Sequence, residues 1–328
     1  MGTSLTVGIQ STKTTTISPL YPLERDMMSI YGLVYESLVT IDDDYLPAPG
    51  LAESWEVIDD TTTVFHLRKG VKFHDGNEMK AEDVKFSLER CIASPGVNYN
   101  YLIISEINII DDYTVEFKTS EPCSVLLQRL TLDAASILSK AAVESTDDFD
   151  SHPVGCGPFK FVSRSPQQNI VLERYDGYWG TPAYLDKVTF QIVENPDALV
   201  MSLQSGALDL VAHLTYNQTV QLGDDFNIVD GPMNLVQAIY LNNKAKPFDN
   251  ETVRQALCYA IDIQQIMDLT AGGSGYPVGS SMYPAFSKYY MEELNDAYPY
   301  DVEKAKRELL KLIGDITREM QEIFTREF

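Results

Sequence analysis

Apolar and polar positions alternate between Thr62 and Phe73, and this pattern predicts a pair of short strands. The turn between them would fall at Arg68–Gly70, where a glycine permits a tight reversal of the chain. A helical spacing of apolar residues follows from Ala81 to Ile92. The apolar positions of the strand pair are Val64, Phe65, Leu67, Val71 and Phe73, and those of the helix are Val84, Leu88 and Ile92, with Phe86 beside them.

The rest of the chain alternates between strand-like and helix-like segments. Asp111 and Asp112 are flanked by apolar strand patterns and predict a hairpin. Helix patterns run over Met27–Leu38, Asn195–Ser205 and a segment that Asp249 or Asn250 can cap. Further strands are predicted at Leu5–Gln10, Lys187–Val193, Leu208–Val211 and Leu235–Leu241. This strand–helix–strand order favours an α/β fold.

Charge and composition exclude several classes of partner. The 328 residues carry 48 acidic and 25 basic side chains, a net charge of −23, which disfavours nucleic acids and anionic membrane surfaces. No window is apolar enough for a transmembrane helix, and the first residues run into a strand-like segment without a signal-peptide pattern. The four cysteines and four histidines lack the spacing of a zinc site, and the pairing of the cysteines stays open.

Four stretches, taken in order, carry a resemblance to a known family. The chain resembles the extracytoplasmic solute-binding proteins of bacterial ABC transporters, in the family of dipeptide-, oligopeptide- and nickel-binding receptors. The stretches are AESWEVIDDTTTVFHLRKGVKFHDGNEMKAEDVKFSLER, GCGPFKFV with LERYDGYWGTPAYLDKVTFQIV, LQSGALDLV, and LNNKAKPFDNETVRQALCYAIDIQQIMD. Their order and spacing fit the family from Leu5 to about Leu310.

The resemblance implies a two-lobed α/β fold of the periplasmic-binding-protein type, class II-like and of cluster C. Two hinge strands would join the lobes, which close over a ligand in the cleft. Residues 1–18 and 153–241 would form the sheet domain of the first lobe, and residues 19–152 an extra subdomain inserted into it. The second lobe would begin at residue 242 and run to 328.

The end of the chain departs from the family pattern. Family members run well past this length, and KLIGDITREMQEIFTREF, which follows DVEKAKRELL at once, resembles a later helix of the family. The resemblance therefore implies an incomplete second lobe, through truncation or an internal deletion. The acidic residue that anchors a peptide amino terminus in this family belongs to the missing part and is not carried over.

Candidate ligand contacts lie on loops and helix ends that the resemblance brings to the cleft. Tyr21 and Met28 lie where relatives approach the ligand, although Met28 could equally be a core residue in phase with Tyr31. One of Tyr99 and Tyr101, in an aromatic loop, is expected to face the ligand. The remaining candidates are Met233, Asn234 and Gln237, which lead towards the second lobe, and Tyr276 in a glycine-rich loop.

Other reactive side chains have ordinary structural interpretations. His66 and His74 belong to the strand and turn of the first motif, and a structural role is favoured for both. Cys156, between Gly155 and Gly157, would pack where the chain crosses between domains, and the glycines indicate turn chemistry. The Asp42–Asp44 run lacks the loop pattern of a calcium site and predicts a solvated turn. No metal, cofactor or catalytic set is expected.

The expected function is that of an extracytoplasmic receptor that captures small peptides between its lobes for import. It would work as a monomer with the transmembrane subunits of an ABC permease, in the periplasm or held at the cell surface by a lipid anchor. A nickel-chelate or other metallophore receptor is one alternative, but relatives of that kind use an arginine near residues 134–137, which read AASI here. A sensor or interaction protein that keeps the fold is another, and an enzyme is not expected.

Overall fold

A computed structural model describes residues 3–10, 17–20, 25–146, 148–231, 236–279, 283–284 and 289–313. The chain divides into two compact units, Met1–His213 and Leu214–Phe328. This division falls after residue 213, whereas the resemblance implies a second lobe from residue 242.

The first unit contains all the strands of the described residues. They are β1 (Ser4–Ile9), β2 (Val39–Ile41), β3 (Pro47–Pro49), β4 (Ala52–Val57), β5 (Thr62–Leu67), β6 (Ile104–Asp111), β7 (Thr114–Thr119), β8 (Phe159–Ser165), β9 (Asn169–Arg174), β10 (Lys187–Ile192) and β11 (Leu210–Val211). Its helices are α1 (Arg25–Val34), α2 (Ala81–Ala93), α3 (Leu126–Arg129), α4 (Lys140–Glu144) and α5 (Pro196–Gln204). The mixed α/β fold expected from the sequence is confirmed.

A five-stranded sheet joins the start of the chain to residues 159–211. Its strand order is β11-β1-β10-β9-β8, with β1 parallel to β10 and β11 and the β10-β9-β8 run antiparallel. One hydrophobic cluster covers it, in which Met27, Ile30, Tyr31 and Val34 of α1 pack with the strands. The strand side chains of this cluster are Val7, Ile9, Phe159, Ile170, Leu172, Val188, Phe190 and Ile192.

A four-stranded antiparallel sheet, β4-β5-β7-β6, lies within residues 52–119. Alternation along its strands buries every second side chain, so Phe65 meets Phe117 with ring centroids 5.0 Å apart. Helix α2 contributes Val84 and Leu88 to the same core. Asp83 accepts a hydrogen bond from the Lys80 backbone N–H at 2.9 Å, which closes the first turn of the helix.

Two strand predictions are wrong. Residues 71–73 do not pair with β5, because both edges of β5 are occupied, one by β4 and the other by β7, which comes some 50 residues later. Within residues 71–73, only Lys72 takes part in strand-like pairing among the described residues, through an isolated bridge to Glu78. The predicted strand Leu235–Leu241 is also absent from its described part, residues 236–241.

The described part of the second unit is helical. Its helices are α6 (Tyr216–Leu222), α7 (Glu251–Ala260) and α8 (Ile263–Ala271), and residues 302–313 are helical as well. The Asn250 side chain caps α7 by accepting from the backbone N–H groups of Thr252 and Val253 at 2.8 and 3.3 Å. Helix α8 ends at Gly272 in the left-handed conformation, φ 59°.

Candidate ligand-binding site

Met28 lies on the exposed side of α1. Its side chain is 47% exposed, whereas Met27, Ile30 and Tyr31 are buried against the five-stranded sheet. Met28 is therefore not a core residue, and its flexible thioether is available to a ligand. Tyr21, the other candidate before this helix, lies outside the described residues.

The two tyrosines of the aromatic loop have opposite environments. Tyr99, in a short 3-10 helix at Asn98–Asn100, is 71% exposed. Tyr101 is fully buried, donates its hydroxyl to the Arg129 carbonyl at 3.2 Å, and has its pKa raised by burial. Arg129 in turn donates to the Asn100 carbonyl at 3.1 Å, which fixes the loop. Of the two, only Tyr99 offers side-chain surface to a ligand.

The remaining candidates belong to the segment that follows the first unit. Gln237 and Tyr276 are both exposed in the second unit. Met233 and Asn234 lie outside the described residues. In the first unit, Met28 and Tyr99 lie on different elements, one on the helix that covers the five-stranded sheet and one beside α2.

Gly155 and Gly157 are required for close packing and not for a turn, so the interpretation as turn chemistry is wrong. A Cβ atom at Gly155 would lie 2.0 Å from the Val34 carbonyl oxygen, and one at Gly157 would lie 2.6 Å from the Leu33 carbonyl oxygen. Neither residue has a positive φ. The pair lets the chain pass against the carboxyl end of α1, where the Gly157 N–H donates to Val34 at 3.0 Å.

His74 connects the inserted segment to this glycine pair. Its Nδ1 atom accepts from the Gly155 N–H at 3.3 Å and its Nε2 atom lies 3.0 Å from the Gly157 carbonyl oxygen, an arrangement that needs the neutral Nε2–H tautomer. Burial lowers the pKa of His74 from 6.5 to about 4. The Tyr175 ring lies edge-on to the imidazole at 4.9 Å. The imidazole therefore acts as a structural bridge.

The cysteines of the core have unreactive environments. Burial raises the pKa of the Cys91 thiol to about 12, and its Sγ atom donates to the Ala134 carbonyl at 2.7 Å. Burial also raises the pKa of the Cys156 thiol. Neither thiol is poised as a nucleophile.

The acidic turn and the remaining histidine of the first motif have local partners. Asp42 accepts from the backbone N–H groups of Asp44 and Leu46, which makes the Asp42–Asp44 run a turn held by its own side chain. His66 lies 3.4 Å from the Glu56 carboxylate on the exposed side of the four-stranded sheet. Within the described ranges, no three histidine, cysteine or acidic side chains are grouped as metal ligands.

An open groove of about 630 Å³ lies at one end of the four-stranded sheet. Its lining residues are Glu53, Ser54, His66, Leu67, Lys69 and the hairpin turn at 111–114. Lys69 stands 5.3 Å from the Tyr113 ring, and Lys80 pairs with Asp112 at 2.6 Å. None of the candidate ligand contacts that the structure describes, Met28, Tyr99, Tyr101, Gln237 and Tyr276, lines this groove. In the part of the chain that the structure describes, no helix combines the length and apolar character needed to span a bilayer.

Sequence and structure comparisons agree on the family. The family model described as bacterial extracellular solute-binding proteins, family 5, matches residues 47–314. The dipeptide-binding protein of Escherichia coli K12 is 34% identical over 81% of this chain and 55% of its own length. Heme-binding protein A of Haemophilus influenzae is 33% identical over 79% of this chain and 52% of its own length.

A solved structure of the same family has a similar fold. The periplasmic binding protein DppA of Helicobacter pylori, in complex with the peptide STSA, superposes with a TM-score of 0.74 at 29% identity. The superposition covers 94% of this chain and 66% of that protein. The chain spans about half the length of the curated relatives that it matches. It belongs to the bacterial extracellular solute-binding proteins of family 5.

Proposed function

We propose that this chain is the substrate-binding component of an ABC transporter and that it captures short peptides outside the cytoplasm. The observation that carries this proposal is the 34% identity with a dipeptide-binding protein over 81% of the chain. The family is one of binding proteins. The peptide would pass intact to the transmembrane subunits of a permease, with no bond made or broken.

In this proposal Met28 and Tyr99 form part of the peptide-binding wall of the first unit. Both present apolar surface to solvent: Met28 lies on a helix whose opposite face packs in a core, and Tyr99 lies two residues before the fully buried Tyr101. A thioether and an aromatic ring accept peptide side chains of varied shape, because neither demands a fixed hydrogen-bond geometry. Gln237 and Tyr276 are proposed contacts from the second unit, together with Met233 and Asn234. Tyr21 is a further proposed contact from the first unit.

Ligand capture is proposed to be a population shift. A peptide that contacts both lobes binds the closed form more tightly than the open form and therefore favours closure. The net charge of −23 is compatible with zwitterionic and cationic peptides, whose ammonium groups it attracts over long range.

Calorimetric titration of the chain tests the proposal. The probes are the tetrapeptide Ser-Thr-Ser-Ala, dialanine, haemin and a nickel–histidine complex. We expect saturable heat with at least one peptide and a negative heat-capacity change, since apolar surface is buried. Heat with haemin or nickel–histidine and none with either peptide would overturn the peptide assignment.

Side-chain variants locate the binding surface. Replacing Tyr99→Ala or Met28→Ala is expected to weaken peptide binding by roughly three- to tenfold, since each removes about 1 kcal/mol of buried contact. Tyr184→Ala is the matched control, because the Tyr184 side chain is 91% exposed on the loop before β10. Equal losses in all three variants would contradict the proposed wall.

A further inference from the structure

Three chain segments of the first unit, residues 34–36, residue 137 and residues 155–158, meet just after α1. The chain leaves the five-stranded sheet here and returns to it through residues 155–158. The Glu36 carbonyl accepts from the Ile137 N–H at 2.9 Å, and the neighbouring Val34 carbonyl accepts from the Gly157 N–H at 3.0 Å. Residues 34–36, where the chain leaves the five-stranded sheet, therefore contact residues 137 and 157, which both lie on its way back.

The Glu36 carboxylate is held by two side chains from one loop of the first unit. Its Oε2 atom accepts from Trp179 Nε1 at 2.7 Å, and its Oε1 atom accepts from the Tyr178 hydroxyl. Both donors lie in the loop between β9 and β10. Two hydrogen bonds to one carboxylate fix its orientation as well as its position.

Arg68 extends this contact to the four-stranded sheet. It follows β5, its guanidinium carbon lies 4.7 Å from the centre of the Trp179 ring, and its Nε atom donates to the Gly50 carbonyl at 2.7 Å. A cation over an indole face is attracted by the ring electrons. The series Glu36–Trp179–Arg68 thus links the chain just after α1, the loop between β9 and β10, and the residue that follows β5.

The hydrogen bonds to Glu36 favour an ionised carboxylate, but burial outweighs them and the pKa of Glu36 is raised on balance. Burial raises the pKa of Glu36, while the hydrogen bonds from Tyr178 and Trp179 and the charge of Arg68 lower it. A carboxylate can accept from both donors, whereas a neutral amide at this position has one oxygen for two donors. Glu36→Gln preserves the volume of the side chain but removes the charge of the acceptor. Its NH2 group can only donate to the Tyr178 hydroxyl, so both charge-assisted hydrogen bonds are replaced by weaker neutral ones.

We propose that Glu36 is a positioning residue that fixes the segment with the four-stranded sheet against the five-stranded sheet through Tyr178 and Trp179. This inference rests on the proposed function. In that function, the Glu36 contact keeps Tyr99, beside α2, in a fixed position relative to Met28, on α1. Closure over a peptide then meets a preformed wall. Without the Glu36 contact, the two sheets could move relative to each other. Ordering the peptide-binding wall on binding would then cost free energy and lower the affinity.

Hydrogen exchange measures this role without any ligand. In Glu36→Gln and Trp179→Phe, we expect the amides of His74, Ile137 and Gly157 to exchange about tenfold faster through local opening, with the strand amides of Phe65 and Phe117 unchanged. Tyr178→Phe removes only the hydroxyl that donates to Glu36, so it should give the same pattern. It replaces Glu36→Gln in the experiment if that variant folds poorly. Unchanged junction amides, or an equal rise at every amide, would overturn the proposal.

The matched controls are Trp55→Phe and Tyr113→Phe. Trp55 packs on Phe65 in the four-stranded sheet, and the Tyr113 hydroxyl donates to Glu78 at 2.8 Å, the same tyrosine–carboxylate pair at a site away from the junction. Neither control should change exchange at His74, Ile137 or Gly157. A junction response to either control equal to that of Glu36→Gln would also overturn the proposal.

Peptide affinity completes the test. With Ser-Thr-Ser-Ala as the probe, Glu36→Gln should raise Kd by about five- to twentyfold at a temperature where the variant is fully folded, and Tyr113→Phe should leave it unchanged. Faster junction exchange with an unaltered Kd would overturn the positioning role. If the unmodified chain binds no peptide, the proposed function fails, and the exchange pattern alone then decides the role of Glu36 in joining the sheets.

Discussion

The two compact units of the chain bury apolar side chains to different extents. The first contains two hydrophobic clusters, one for each sheet, with fully buried residues such as Phe65, Phe117 and Ile30. Among the described residues of the second unit, the buried apolar side chains are Leu222, Ala256, Tyr259 and Ala305. Both units contain amphipathic helices, so the helical pattern alone does not tell whether an apolar face is covered.

Helices α2 and α8 show this difference directly. Helix α2 buries Val84 and Leu88 under the four-stranded sheet. Helix α8 has an apolar spacing of comparable strength, yet Ile263, Ile266 and Leu269 are exposed and none of its residues is buried. Stability should therefore be concentrated in the first unit.

The largest effect is expected at the glycine pair. Gly155→Ala places a Cβ atom 2.0 Å from the Val34 carbonyl oxygen, and relief requires a backbone shift, so the free energy of unfolding should fall by about 3–5 kcal/mol. Urea denaturation measures it. Gly32→Ala is the control, because nothing lies within 4 Å of its Cβ position inside α1, and it should stabilise by up to about 1 kcal/mol.

Truncating one apolar side chain to alanine in each unit compares how tightly the two units are packed. Phe117→Ala empties a fully buried site and should cost about 3–5 kcal/mol, whereas Leu269→Ala, at a side chain 77% exposed, should change stability by less than about 0.5 kcal/mol. Thermal unfolding of both variants gives the comparison. A loss at Leu269 as large as that at Phe117 would show that the apolar face of α8 is covered in solution.

The third effect depends on pH. The pKa of His74 is about 4 in the folded protein and 6.5 is its ordinary value, so the unfolded chain binds the proton first. The free energy of unfolding should therefore fall as pH drops from about 6.5 to 4, by roughly 2–3 kcal/mol, and level off below. His74→Gln, whose amide can serve both glycine partners, should flatten the profile in this window. His66→Gln, at the more exposed strand position, should keep the slope.

The smallest effect concerns the second unit alone. Asn250→Ala removes the cap of α7 and should destabilise that helix by about 1 kcal/mol. Hydrogen exchange at residues 252–256 should accelerate, while β5 and β7 stay protected. Asn195→Ala, the equivalent cap of α5 in the first unit, provides the comparison. Loss of protection across both units in Asn250→Ala would contradict the independence of the two regions.

Local signals in the sequence predicted local structure well. The two aspartates at 111–112 mark the hairpin of β6 and β7, Asn250, one of the two expected caps, caps α7, and the helix pattern over Asn195–Ser205 corresponds to α5. These features depend on residues within a few positions of one another, so their chemistry is readable in one stretch. The family resemblance is confirmed by the match over residues 47–314.

Features that depend on distant residues were not predicted. The alternation in Thr62–Leu67 indicates a strand but not its partners, which are β4 and β7. Gly155 and Gly157 look like turn glycines in the sequence, because the close approach of the end of α1 to both is visible only in the structure. Tyr99 and Tyr101 share a loop and a residue type, and only the packing of Tyr101 against Arg129 separates an exposed ring from a buried one.

The first unit is proposed to be a preformed and rigid half of a peptide-binding site. Hydrogen exchange of the whole chain with and without Ser-Thr-Ser-Ala tests this proposal. Without peptide, segments 62–67 and 114–119 should exchange far more slowly than 251–271. With peptide, further protection should appear around residues 27–30 and 98–101 with no change in the two sheets. Equal exchange in both units, or protection in the sheets that appears only on addition of peptide, would contradict it.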